Sequence, residues 1–196
     1  MPSAKPHKGS LPEPFPYRRL TSERVGRYGV EVGELDTPQG PSQYSILHMK
    51  PFSCVLAITS ARGDADGRIA LVRQWRYSVG SWQLELPAGG IEPGETAEDA
   101  ARRELREETG LVAEKVLSLG SVYTTVGSAD ECAHLFVARC FERRDPLPQD
   151  RGEQVEVVEV SRSEFERMLA EGTCVYPPAY VIWLRLQMRG LLDSWL

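Results

Sequence analysis

Cysteine, histidine and long apolar runs are scarce in this chain of 196 residues. Four cysteines (Cys54, Cys132, Cys140, Cys174) form no CxxC pair, and the three histidines (His7, His48, His134) do not stand at zinc-site spacing. That argues against a disulfide framework or a zinc module and points to a reduced, cytoplasmic compartment. No apolar run is long enough to span a bilayer, so no membrane association is expected. The N-terminus follows its lysines with prolines, not with an apolar signal core. Basic residues are in the minority: 23 Lys and Arg against 28 Asp and Glu, a net charge of −5. No broad basic field therefore invites nucleic acid or an anionic membrane. No internal repeat is visible.

What is present reads in order. Pro2, Pro6, Pro12, Pro14 and Pro16 mark residues 1–17 as a flexible tail. Tyr28–Leu35 alternates as a strand, Thr37 to Pro41 is a turn, and Gln43–Met49 is a second strand. This hairpin makes residues 18–50 an N-terminal β extension that must pack on something, because two strands alone are marginal in water. The domain proper is expected over 51–196. Its strands are Phe52–Thr59, Arg68–Tyr77, Trp82–Ala88, Val116–Tyr123, Ala133–Phe141 and Val155–Val160. Arg62-Gly63-Asp64 reads as a plain surface loop. Ser163 with Glu166 resembles a capping box for a helix to Gly172, and Pro177-Pro178 opens a last helix to Arg189. The pattern is α+β, a sandwich with a mixed central sheet.

The most informative stretch is Gly89–Leu111. A helix is expected from Thr96 to Gly110, with Ala97, Ala100, Ala101 and Leu105 as its apolar stripe. Glu104, Glu107 and Glu108 stand at i, i+3, i+4, on one face within a turn. Their mutual repulsion needs an offset, from Arg103 and Arg106 or from a hard divalent cation, for which oxygen-only ligands are suited. A solvated acidic face is the other reading of the same charges. Gly89, Glu95, Arg103-Glu104-Leu105, Glu107-Glu108 and Gly110-Leu111 match G-x5-E-x7-R-E-U-x-E-E-x-G-U, with U aliphatic, at every defined position. That pattern is the Nudix box, and the chain resembles the Nudix hydrolases.

The resemblance implies an α/β/α sandwich and a metal-dependent attack of water on a diphosphate. Mg²⁺, or Mn²⁺ in its place, would be held by Glu104, Glu107, Glu108 and the Ala88 carbonyl. Glu108, Glu107 and Arg103 would serve catalysis, Arg103 by orienting the glutamates. Glu153 would be the general base or an extra metal ligand, with Glu156 the runner-up. Gln74-Trp75-Arg76 followed by Leu84-Glu85-Leu86-Pro87-Ala88-Gly89 resembles the ADP-ribose and nucleotide-sugar branch. There Arg76 would hold a phosphate, with Glu85 on a ribose hydroxyl or on Arg76, and Gly90 beside them. Tyr28, Tyr44 and Lys50 on the extension, and Asp130 after the box, are further substrate candidates. The branch also implies a homodimer through the extension. One marker departs: the proline about fifteen residues past the box is Val126 here, which brings GDP- and UDP-sugars in beside ADP-ribose. A nucleotide-sensing domain without catalysis is the alternative from another class, disfavoured by the complete set of box glutamates.

Overall fold

Phe52–Thr59 is the chain's continuous apolar strand, and the sheet is built around it. The computed structural model describes residues 13–59, 67–143 and 154–195. Most of the proline tail, the Arg62–Asp64 loop and Glu153 lie outside the described residues. The elements are β1 (Tyr17–Val25), β2 (Tyr28–Thr37), β3 (Gly40–His48), β4 (Phe52–Thr59), β5 (Arg68–Arg76), β6 (Ser81–Glu85), β7 (Ala88–Gly90), α1 (Ala97–Thr109), β8 (Leu111–Tyr123), β9 (Cys132–Arg143), β10 (Val155–Ser161), α2 (Arg162–Glu171), α3 (Pro177–Met188) and α4 (Leu192–Trp195). They form two compact units. One holds the residues up to Lys50 with Tyr123–Cys132; the other holds Pro51–Val122 with Ala133–Leu196.

In the second unit the sheet order is β10-β5-β4-β9-β8, with β6 paired to β5 and β7 to β4. β4 and β9 are parallel and the β5 pairings antiparallel, so the sheet is mixed. Alternate strand residues face opposite sides. Val55 and Ala57 of β4, with Phe136 and Ala138 of β9, cluster with Ala101 and Leu105 of α1. Cys54, Leu56 and Ile58 cluster with Phe165 of α2 and with Ile182, Trp183 and Leu186 of α3. Both faces are therefore covered by helices, which is the α/β/α sandwich. A strand buried on both faces needs apolar residues at consecutive positions, which is why Phe52–Thr59 does not alternate.

The first unit is a three-stranded antiparallel sheet, β1-β2-β3. The expected hairpin is β2 and β3, closing with Thr37 opposite Gly40 around Pro38-Gln39. The sequence reading missed β1. Every residue of β1 is exposed, so it carries no period-2 apolar signal; pairing to β2 holds it, with Arg18 on Glu34 at 2.7 Å. The segment between β8 and β9 belongs to this unit. The Leu47 N–H donates to the Ser128 carbonyl at 2.8 Å and the Asp130 N–H to the Leu47 carbonyl at 3.2 Å.

Two helix details differ from expectation. Ser161, not Ser163, caps α2, its hydroxyl accepting from the Glu164 N–H. Both serines have a glutamate three residues on; β10 ends at Ser161, so the upstream cap takes the first exposed N–H groups. The short α4 was not expected. No described helix is long and apolar enough to cross a membrane.

Candidate active site

The box helix forms because its ends and its inner face agree. Thr96 is extended at the N-cap and its hydroxyl accepts from the Asp99 N–H at 3.1 Å. Gly110 closes the helix at φ 73°, a left-handed conformation that a side chain would strain. Ala100, Ala101 and Leu105 are buried; the leucine alone stabilises by about 2 kcal/mol. The Ser53 hydroxyl donates to the Ala97 carbonyl at 2.6 Å, fixing the start of the helix to β4.

The opposite face carries the charges, and Arg103 organises them. Its Nε and Nη2 donate to the two oxygens of Glu95, both at 2.9 Å. Nη2 also donates to the Gly90 carbonyl at 2.9 Å. Nη1 bridges Glu104 at 2.6 Å and Glu107 at 3.0 Å. These bonds match the five N–H donors of a guanidinium. The bond to Glu95 does most to hold the arginine charged, against the cost of burial, and Glu104 and Glu107 add to it. The same bond holds the Glu95 carboxyl below the usual carboxylate range. Glu95 also accepts from the Glu92 N–H at 3.1 Å, which braces the loop ahead of the helix.

Glu108 is held differently. It is 5% exposed. One oxygen accepts from the side-chain amide of Gln74 at 3.1 Å, the other from the Ala88 N–H at 3.0 Å. Next to it, a Cβ on Gly89 would lie 2.1 Å from the Glu104 carboxyl carbon. Only glycine lets this carboxylate approach the main chain of β7. Beyond the box, Arg76 forks onto Glu85 with bonds of 2.7 and 2.6 Å. Glu85 is buried and Arg76 is 40% exposed at the side chain. The Glu85 bond raises the arginine's pKa against the effect of burial.

The donor set of Glu104, Glu107 and Glu108 is oxygen-only, beside bare backbone, and its chemistry fits a hard divalent cation. Among the described residues no three or more His, Cys, Asp or Glu side chains already converge on one point as an ion site. The cation gathering Glu104 and Glu107 in this structure is Arg103.

Ala88, Gly90, Arg103, Glu104, Glu107 and Glu108 thus come together in the second unit, which also holds the Arg76–Glu85 pair. Glu156 lies at the surface, paired to Arg73 at 3.0 Å. Tyr28, Tyr44, Lys50 and Asp130 belong to the first unit. There the Tyr28 hydroxyl accepts from Arg27 Nε at 2.9 Å, and Tyr44 donates to the Gly127 carbonyl at 3.0 Å. Asp130 accepts from the Met49 N–H at 2.8 Å and bonds His48 Nδ1 at 2.7 Å. His48 Nε2 reaches Glu31 at 3.4 Å, and Tyr17 donates to the same glutamate at 2.7 Å. The bond to Asp130 raises the His48 pKa; burial opposes it and Glu31 supports it. Neither Gln74 as a partner of Glu108 nor this histidine cluster was assigned from sequence. The sequence signals for Gln74 are its place in the Gln74-Trp75-Arg76 motif and its position two residues before Arg76, on the same side of a strand.

The NUDIX domain model matches residues 54–175. The chain is 37% identical over 169 residues to an ADP-ribose pyrophosphatase of Bacillus subtilis, covering 83% of this chain and 86% of that protein. It is 32% identical over 144 residues to a methanol dehydrogenase activator of Bacillus methanolicus, covering 72% and 75%. A solved structure described as an ADP compounds hydrolase superposes with a TM-score of 0.69 over 94% of this chain and 100% of that one; at 22% identity it speaks to the fold. The chain belongs to the Nudix family. Within it, it is a pyrophosphohydrolase of the ADP-ribose pyrophosphatase kind.

Proposed function

We propose that this protein hydrolyses the diphosphate linkage of ADP-ribose or a related nucleoside diphosphate sugar, with Mg²⁺ as the working metal and Mn²⁺ able to replace it. The observation that carries the reading is α1, which presents Glu104 and Glu108 beside the main chain of Gly89 and Ala88, with Glu107 joined to Glu104 through Arg103. When bound there, a divalent ion would shield the diphosphate's charge and acidify water. The oxygen of a water adds to phosphorus, the P–O–P bond breaks, and the leaving phosphate departs with its oxygen. From ADP-ribose the products are AMP and ribose 5-phosphate.

The chain's own residues divide the remaining work. Arg103 keeps Glu104 and Glu107 in register with Glu95 and the Gly90 carbonyl. Arg76, pre-oriented by Glu85, is suited to a phosphate oxygen, because its fork is already fixed before substrate arrives. Glu153 is the assigned base. It lies outside the described residues; Val155, two positions on in sequence, is the register partner of Gln74. Tyr28, Tyr44, Lys50 and Asp130 are assigned to the nucleotide or sugar, with residues 18–50 as the extension to a 51–196 catalytic domain. A homodimer is part of the proposal, supported by the exposed Leu20 and Val25 of β1 and the exposed Trp75, Tyr77 and Trp82. A reduced cytoplasmic setting accords with four free cysteines, three of them buried.

The relatives named ADP-ribose pyrophosphatases favour ADP-ribose, while Val126 at the branch's proline position keeps GDP- and UDP-sugars as the second reading. A panel of ADP-ribose, GDP-mannose, UDP-glucose, NADH and coenzyme A, scored by kcat/KM with and without Mg²⁺, tests the assignment. The expected result is Mg²⁺-dependent release of a nucleoside monophosphate, highest with ADP-ribose. Preference for coenzyme A, or equal rates without metal, would overturn it.

A further inference from the structure

Glu108 differs from its neighbours in the kind of donor that holds it. Glu104 and Glu107 share a cation, Arg103. Glu108 is bonded through one oxygen to a neutral amide on β5 and through the other to a neutral N–H on β7. A glutamate's last torsion is soft and roughly two-fold. Donors on both oxygens, from two separate strands, fix the carboxylate plane against rotation. Both donors are neutral amide groups, so these two bonds orient the carboxylate without forming an ion pair with it. A lysine or arginine at the same place would orient it equally and lower its attraction for a metal. The bond also spans little solvent: Gln74 and Glu108 are each 5% exposed. The carboxylate demands a donor, so the Gln74 amide must present its NH₂ and not its carbonyl.

We propose that Gln74 is a positioning residue that sets the orientation of Glu108 for divalent-metal binding. This rests on the reading of Glu108 as a metal-holding glutamate. Gln74 does not touch substrate in this role; it acts through Glu108. Its place on β5 adds a link. Residues 74 and 76 fall on one side of the strand, so the element that carries the Arg76–Glu85 fork also carries the brace for Glu108. One rigid strand thereby keeps the phosphate-binding arginine and the metal-binding glutamate at a fixed separation.

The test measures Mn²⁺ binding to full-length protein by electron spin resonance of free Mn²⁺, without substrate. Gln74→Met keeps length and volume and removes the donor. Gln74→Asn keeps polarity and draws the donor back by one methylene, so it carries the test if Gln74→Met does not fold. Each folded variant should raise the Mn²⁺ dissociation constant about 10- to 100-fold. At saturating metal the substrate KM should stay within about twofold of the wild type, because uniform substrate binding is untouched. A folded variant with wild-type Mn²⁺ affinity overturns the inference, even if its Tm is lower, since a purely structural glutamine would lower Tm and leave metal affinity alone. Wild-type protein that binds no Mn²⁺ overturns the metal reading of Glu108 and this inference with it.

Discussion

The two sheets of this protein are held together in opposite ways. In β4 every residue from Ser53 to Ile58 is buried. In β1 every residue is exposed, and in β2 only Glu31 and Gly33 are buried. The central sheet is stabilised by apolar area removed from water on two faces. The N-terminal sheet relies on its backbone ladder and on polar pairs: Arg18–Glu34, Tyr17–Glu31 and the His48 bonds to Glu31 and Asp130. The first kind of stability is indifferent to protons; the second is not. The box glutamates and Arg103 sit on the first kind. Glu108 and the Arg103 cluster are thus presented by a helix that the apolar core fixes.

Truncation separates the two sheets most sharply. Leu56→Ala, at a fully buried position, should cost about 3–5 kcal/mol in denaturant unfolding. Ser22→Ala in the exposed β1 should cost no more than about 0.5 kcal/mol. Equal losses would dissolve the contrast. Next in size is the charged face of α1. Arg103→Gln leaves Glu95, Glu104 and Glu107 without their shared cation, and with the arginine side chain 28% exposed the cost should be about 2 kcal/mol, less than for a fully buried pair. A Tm unchanged in that variant would show the cluster to be ornamental.

The smallest effect is on protons, and it belongs to the N-terminal unit. The raised His48 pKa means that its bonds stabilise fully below the ordinary histidine value of about 6.5 and are lost as pH rises through the higher folded value. Glu31 is held low, mainly by Tyr17, so its share is lost as pH falls through the folded value. For Asp130, burial opposes ionisation, but the His48 and Met49 bonds outweigh it and hold the carboxyl low, with the same consequence in acid. Amide exchange at Leu47 and Asp130 should therefore be slowest in mildly acidic solution and quicken toward pH 9. His48→Gln should flatten that profile; exchange that stays pH-independent after correction for the intrinsic rate would remove the histidine from the account.

The contrast also explains what could be read from the sequence. α1 was legible end to end because its caps, Thr96 and Gly110, and its stripe, Ala100, Ala101 and Leu105, are local signals. The central strands were legible because burial writes itself as an apolar run. β1 was not, because Tyr17–Val25 is specified by a neighbour and not by its own pattern. The same holds for the site. The box glutamates stand within one turn of each other. Gln74 lies 34 residues from Glu108 and Asp130 lies 82 from His48, and nothing in a single sequence joins residues so far apart. The shift of the α2 cap from Ser163 to Ser161 is a smaller case, since two serines offered the same spacing and strand length chose between them.

The central claim is that Glu108 on the core-fixed helix works on the diphosphate through a divalent metal. It is tested most directly by the rate of ADP-ribose hydrolysis by Glu108→Gln at saturating Mg²⁺, beside its circular dichroism. The expected result is a loss of about 100-fold or more in kcat with the spectrum of the wild type. A variant of wild-type fold that turns over at near wild-type rate would contradict it.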